Sequence, residues 1–332
     1  MKNFLKKNWF LILLAMLATA LGLFWAYSRL PKREVPTPVP QAIETPSSRF
    51  SEKPEGVTYT IVVPAPQLPD RMDVFTLERF SKDSLPLYLQ ALASEFGIPI
   101  SSPSQAPRDD LLVWDGPTFS LALNLPSGSF DLYKGSQKVA PSFSLGSARQ
   151  YAIDKAKELG LVRDVAVVDV GSFVVAGVHL EEAPPGNAEV FIVKVQASIN
   201  GFPLVSVGQS QNHVEFRLTK GGEITKIGYN MPVPKASMGS FRLKSWDRVV
   251  AQLQGGEAQT ISIKDAEGNT AAPLSAQPLT QATITKSYLA YFDSGESQTT
   301  LQPVFVFEGT GTTTTGEARI FALYVSALET GL

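Results

Sequence analysis

"YLAYFDSGESQTTLQPVFVFEG", Tyr288–Gly309, places three carboxylates, Asp293, Glu296 and Glu308, within some of the most aromatic sequence of the chain. Two readings compete: a cluster of catalytic acids, or the turn and strands of a β-hairpin. Tyr288–Phe292 and Leu301–Glu308 are rich in the aromatic and β-branched residues that fit a pleated, half-buried surface. Between them, Asp293-Ser294-Gly295-Glu296 has the composition of a polar turn. Pro303 has no amide hydrogen to donate, which places it near the start of its strand or on an edge. At ~3.3 Å per residue, Glu308 then lies roughly 20 Å from Asp293 and Glu296, so the three acids do not make one site. The stretch specifies a fold rather than a reaction.

The same patterning extends through the body of the chain. "TYTIVVPAP" (58–66) alternates as a strand, and "SLPLYLQALASEFG" (84–97) spaces its leucines and aromatics as a helix. "DLLVWDGPTFSLALNLPSGSFDLYKG" reads as three short strands broken at Asp115-Gly116-Pro117 and Pro126-Ser127-Gly128. A second helix begins near Ser144 or Ser147 and ends at Gly160; a third follows Ser245 in "LKSWDRVVAQLQGG". Strands follow each of these helices. "VAVVDV", "FVVAGVHL", "EVFIVKVQASI", "HVEFRL" and "EITKIGY" are separated by Pro184-Pro185-Gly186, Asn200-Gly201 and Gly221-Gly222. Tyr288 and Phe292 share one strand face, as do Phe305 and Phe307, and Trp246 sits on the helix that could cover them. The expected fold class is α+β: three modules, each a helix with an antiparallel meander, at residues 57–141, 142–235 and 236–332.

Ahead of these modules, residues 1–30 form a short basic tail and the apolar run "NWFLILLAMLATALGLFWAY" (8–27), about the ~20 residues a membrane helix requires. Trp9, Trp25 and Tyr27 stand near its ends, where aromatic rings favour the headgroup region. Ala18-Thr19-Ala20 offers a signal-peptidase site, but the apolar run continues past it, so an uncleaved anchor is expected. Residues 31–56 are Pro-rich and read as a semi-rigid spacer. The expectation is a single-pass protein in the lipid bilayer of the cell membrane, its body extracytoplasmic.

Composition excludes several chemistries. With 29 Lys and Arg against 31 Asp and Glu, and a net charge of -2, no basic field exists to attract nucleic acid. The chain has no cysteine and only two histidines, which rules out disulfides, thiolate metal sites and a cysteine nucleophile. His213 opens "HVEFRL", where alternation puts it on an exposed face with Glu215 and Arg217; His179 lies beside Glu181 and Glu182 at a strand end. Neither forms a metal-ligand pattern, and no cofactor is expected. "GQSQN" (208–212) lacks the second glycine of a nucleophile elbow, and "EGTGTTTTGEA" (308–318) lacks the lysine and following helix of a phosphate loop. It reads as a flexible hairpin loop. The paired acids Asp109-Asp110, and Asp115 before glycine, are what turns prefer.

"ASINGFPLVSVGQSQNHVEFRLTKGGEITKIGY", together with "LKSWDRVVAQLQ", "ITKSYLAYFDSGESQTTLQPVFVFEG" and "FALYVSAL", resembles the PepSY-like repeats of the YycH and YycI regulatory proteins. The resemblance covers roughly Ser142–Leu328 and the leader. It implies a non-enzymatic regulator that binds a membrane sensor kinase. The alternatives are a cell-envelope hydrolase or carbohydrate-active enzyme using Asp115, Asp293 and Glu296, and a structural or adhesion protein.

Overall fold

The computed structural model describes residue 54 and residues 56–135, 143–206, 212–268, 271, 278–294 and 298–329. In chain order, β1 (Thr58–Ile61) and β2 (Arg71–Leu77) precede α1 (Tyr88–Phe96). Then come β3 (Gln105–Arg108), β4 (Leu111–Asp115), β5 (Phe119–Asn124), β6 (Phe130–Lys134) and α2 (Leu145–Glu158). Seven strands follow: β7 (Asp164–Ala176), β8 (His179–Glu182), β9 (Val190–Ile199), β10 (Phe202–Ser206), β11 (Val214–Thr219), β12 (Ile224–Tyr229) and β13 (Pro234–Arg242). The chain closes with α3 (Trp246–Gln254), β14 (Gln259–Lys264), β15 (Leu279–Asp293), β16 (Thr300–Thr313) and β17 (Ala318–Ser326).

One antiparallel sheet runs β3-β4-β5-β6-β12-β11-β9-β7, with β8 added beyond the end of β7. Its inward face carries Trp114, Leu121, Phe191, Val193 and Phe216, all fully buried against Leu89 and Leu92 of α1 and Ala148, Ala152 and Ala156 of α2. Alanines four residues apart give α2 a smooth stripe, which lets the helix lie close on the sheet. Ser144 caps that helix, its Oγ accepting from the Ser147 amide at 3.1 Å, and Gly160 beyond its end takes the left-handed conformation.

The second sheet runs β14-β17-β16-β15, again antiparallel. The far side of β15 takes two parallel partners, β1 at Gln281–Ile284 and β10 at Tyr291–Asp293. At the start of β16, Thr300 and Leu301 pair with β2, whose other side carries β13. As expected, Trp246 of α3 lies over Phe305 and Phe307, at ring-centroid distances of 6.2 and 5.8 Å. β10 joins the two sheets, antiparallel to β9 and parallel to β15.

This architecture overturns the expected α+β class. The described residues are 52% strand and 13% helix, one extended mixed β network with three short helices rather than repeated helix-plus-meander modules. Partners are chosen by open backbone edges, which must be satisfied wherever they occur in the sequence. One core draws on residues from Tyr88 to Tyr229, a second combines Tyr59, Met72, Val74 and Leu204 with Leu243 through Leu328, and a third packs Val205 with Ile261, Phe292, Val304 and Tyr324. β1, expected to open a first module, pairs instead with β15, and β2 and β13 went unrecognised. The reading of the chain as a membrane protein also gains nothing. No helix among the described residues is long and apolar enough to cross a bilayer, and the run 8–27 with Trp9, Trp25 and Tyr27 lies outside them.

Two glycine positions carry specific geometry. Asn200 and Gly201 both have positive φ, the pair of left-handed residues that a tight β9-β10 hairpin requires. Gly309 sits in β16 opposite a bulge in β15 between Ile284 and Lys286, where an added Cβ would collide with the Thr283 carbonyl oxygen. The Thr- and Gly-rich segment is therefore strand as far as Thr313 rather than a loop. Gly309→Ala is expected to lower unfolding free energy by about 2 kcal/mol in urea denaturation. Gly135→Ala, whose Cβ would meet only the Thr118 carbonyl at 3.9 Å, should change it by no more than about 0.5 kcal/mol.

Candidate interaction surface

The seam between the sheets holds the most concentrated polar chemistry. His213, expected on an exposed face, is 1% exposed and sits just before β11. Its backbone is committed on both sides, its amide donating to the Val195 carbonyl and its carbonyl accepting from the Asn230 amide. The ring is buried because β10 lies against it, with Ser206 in contact. The Ala197 amide donates to His213 Nδ1 at 3.3 Å, so Nδ1 carries the lone pair and the neutral ring holds its proton on Nε2. Nε2 then faces Ser206 Oγ at 3.2 Å, and Ser206 Oγ donates to Asp293 Oδ2 at 3.4 Å.

These three residue types also make serine hydrolases, yet the arrangement here is different. A general base would need a lone pair on Nε2 facing the serine, and an acid on the far nitrogen to hold that tautomer. Here a backbone amide occupies the far nitrogen, and the acid contacts the serine. The chain of hydrogen bonds ties β9, β10 and β15 together across the seam.

The acids singled out in the sequence are dispersed. Asp115 accepts from Ser120 Oγ at 2.6 Å on the first sheet, whereas Asp293 is buried in the second. Asp109 pairs with Lys82 at 3.3 Å and Asp110 with Arg108 at 3.2 Å, both exposed. His179 opens the short strand β8 opposite Ala176 and is exposed. Glu296 and Gly208–Gln211 lie outside the described residues. Among the described residues no group of three His, Asp or Glu side chains is placed to hold a metal ion.

Glu308 lies far from Asp293 along β15 and β16, as expected, because its register partner is Lys286. It accepts from Tyr288 OH at 2.6 Å and pairs with Lys286 at 3.1 Å, and Lys286 lies 4.6 Å from the Tyr288 ring centre. Burial, and next the bond to Glu308, push the Tyr288 hydroxyl pKa well above its ordinary value.

Lys286 and Tyr288 line an open trough of about 730 Å³ together with Asp164–Val167, Gln196, Ser198, the Asn200-Gly201 turn and Pro203. A second concavity of about 490 Å³ continues along β7 and β9, between Asp169–Phe173, Ile192, Lys194 and the Glu182–Pro184 segment. Sequence reading missed this surface. Val165–Val170 looks like an ordinary strand, and nothing local places Tyr288 beside it.

No family model and no curated protein matches the chain. It is similar in structure to an uncharacterized protein from Eubacterium rectale, with a TM-score of 0.50 and 12% identity over 83% of this chain and 90% of that one. The likeness extends to the fold alone.

Burial lowers the His213 pKa from 6.5 to about 4. The folded protein therefore keeps the ring neutral down to about pH 4, while the unfolded chain takes up a proton below about pH 6.5. Stability should fall with pH across that window, by about 3 kcal/mol at its acidic end. Urea titrations at a series of pH values should show this slope, and His213→Gln should remove it.

Proposed function

We propose that the protein works by binding another protein, as a regulator of an envelope component such as a membrane sensor kinase, with its β-rich body outside the cytoplasm. The observation that supports a binding role is the trough at the sheet seam, open along β7 and lined by both apolar and polar groups. The one buried His-Ser-Asp group is held in the wrong tautomer for nucleophilic chemistry. A sensor kinase as the target rests on the resemblance of the hairpins around Asn200-Gly201 and Tyr288–Gly309 to the YycH and YycI regulators. Of the acids the hydrolase alternative invokes, Asp115 and Asp293 belong to different sheets, and Glu296 lies outside the described residues.

Crosslinking of the full-length chain in native cell-envelope preparations, followed by identification of captured material, tests this reading. A sensor kinase or another envelope protein is the expected product. Capture of peptidoglycan fragments alone would overturn it.

A further inference from the structure

β7 is paired on both sides only at its end. Phe173 faces Glu182 of β8 on one side and Val190 of β9 on the other, but Asp164–Gly171 has β9 on one side and no strand on the other among the described residues. Burial reports the same open edge. Val193, Val195 and Ala197 of β9 are fully buried, whereas their register partners Val170, Val168 and Val165 are only half-buried. Eight residues of backbone, about 26 Å at ~3.3 Å per residue, thus present unpaired amides and carbonyls.

The outward side chains along this edge form a pattern. Asp164, Val167 and Asp169 lie level with Ser198, Gln196 and Lys194 of β9, each two residues apart, because the bulge between Val165 and Val167 absorbs one position. Val167 is 55% exposed, and neither Asp164 nor Asp169 has an ion-pair partner among the described residues. The two carboxylates are therefore about 13 Å apart on one face, with an apolar side chain midway.

We propose that this edge receives an extended segment of a partner protein as an added β-strand, and that the segment carries two basic residues four positions apart with an apolar residue between them. Main-chain hydrogen bonds to β7 supply the affinity, and alternate side chains meet Asp164, Val167 and Asp169. This inference rests on the binding role proposed above.

The test uses the full-length chain in non-ionic detergent and a fluorescent nine-residue peptide with the central pattern Lys-Thr-Val-Thr-Lys, read by anisotropy. Saturable binding is expected, weakened about tenfold when Asp164→Asn and Asp169→Asn are combined, and weakened by added salt. Two N-methylated peptides decide whether a strand forms. Methyl groups on one alternate set of amides should cost on the order of thirtyfold, while those on the other set should cost little. Equal binding of both, failure of the unmethylated peptide to bind, or a doubled mass that the peptide does not dissociate would each overturn the proposal. If the peptide fails while crosslinking still captures an envelope protein, only this inference falls; if crosslinking captures no protein, the binding role falls with it.

Discussion

The pairing of β15 with three strands is the constraint that joins the chain into one network. β16 supplies one side over nearly the whole length, and the other is shared by β1 and β10, which come from distant parts of the chain. An unpaired carbonyl or amide in the buried stretch of that strand, Leu289–Asp293, would cost about 1–3 kcal/mol, so β10 cannot be dispensed with cheaply. The result is one hydrogen-bonded network with three hydrophobic clusters among the described residues. Pairings between opposite ends of the described chain, such as Thr58 with Gln281, also make the fold one of high contact order, for which slow folding is the rule.

The seam that β10 creates explains why polar side chains are buried there. Where two sheets meet through one short strand, their own side chains must satisfy the groups left between them. His213, Ser206 and Asp293 do this from three elements, and the Gln196 side chain adds a bond to the Leu204 carbonyl at 2.8 Å. Such groups hold strand register, since a slip of one residue would leave them buried without partners. On the outer surface of the same seam, Lys286, Tyr288 and Glu308 tie themselves together. The edge of β7 is left open beside them.

Much of the local structure was legible. The helix at Ser144–Gly160, the Asn200-Gly201 turn and the covering of Phe305 and Phe307 by Trp246 follow from caps, turn chemistry and periodicity. Other signals misled. "VAVVDV" and "FVVAGVHL" read as two strands, but β7 runs through Gly171 between them, with the Phe173 ring filling the space a side chain would take. The threonines after Glu308 looked like a loop, although Thr is a good strand former and the glycines there answer a close approach from β15. Alternation assigned His213 to the solvent, but β10 covers that position.

The sequence by itself determined the three helices, most of the strands and turns, and which chemistries its composition excludes. These depend on neighbours within a few positions, and side-chain periodicity records them directly. Only the tertiary structure decided which strands pair, and hence that the class is one extended mixed sheet rather than repeated α+β modules. It also decided that Ser206 meets His213 and Asp293, and that β7 is left with an open edge beside Tyr288. Backbone hydrogen bonds are chemically alike at every residue, so a strand's sequence carries little record of its partner, and that choice is made by packing over the whole chain.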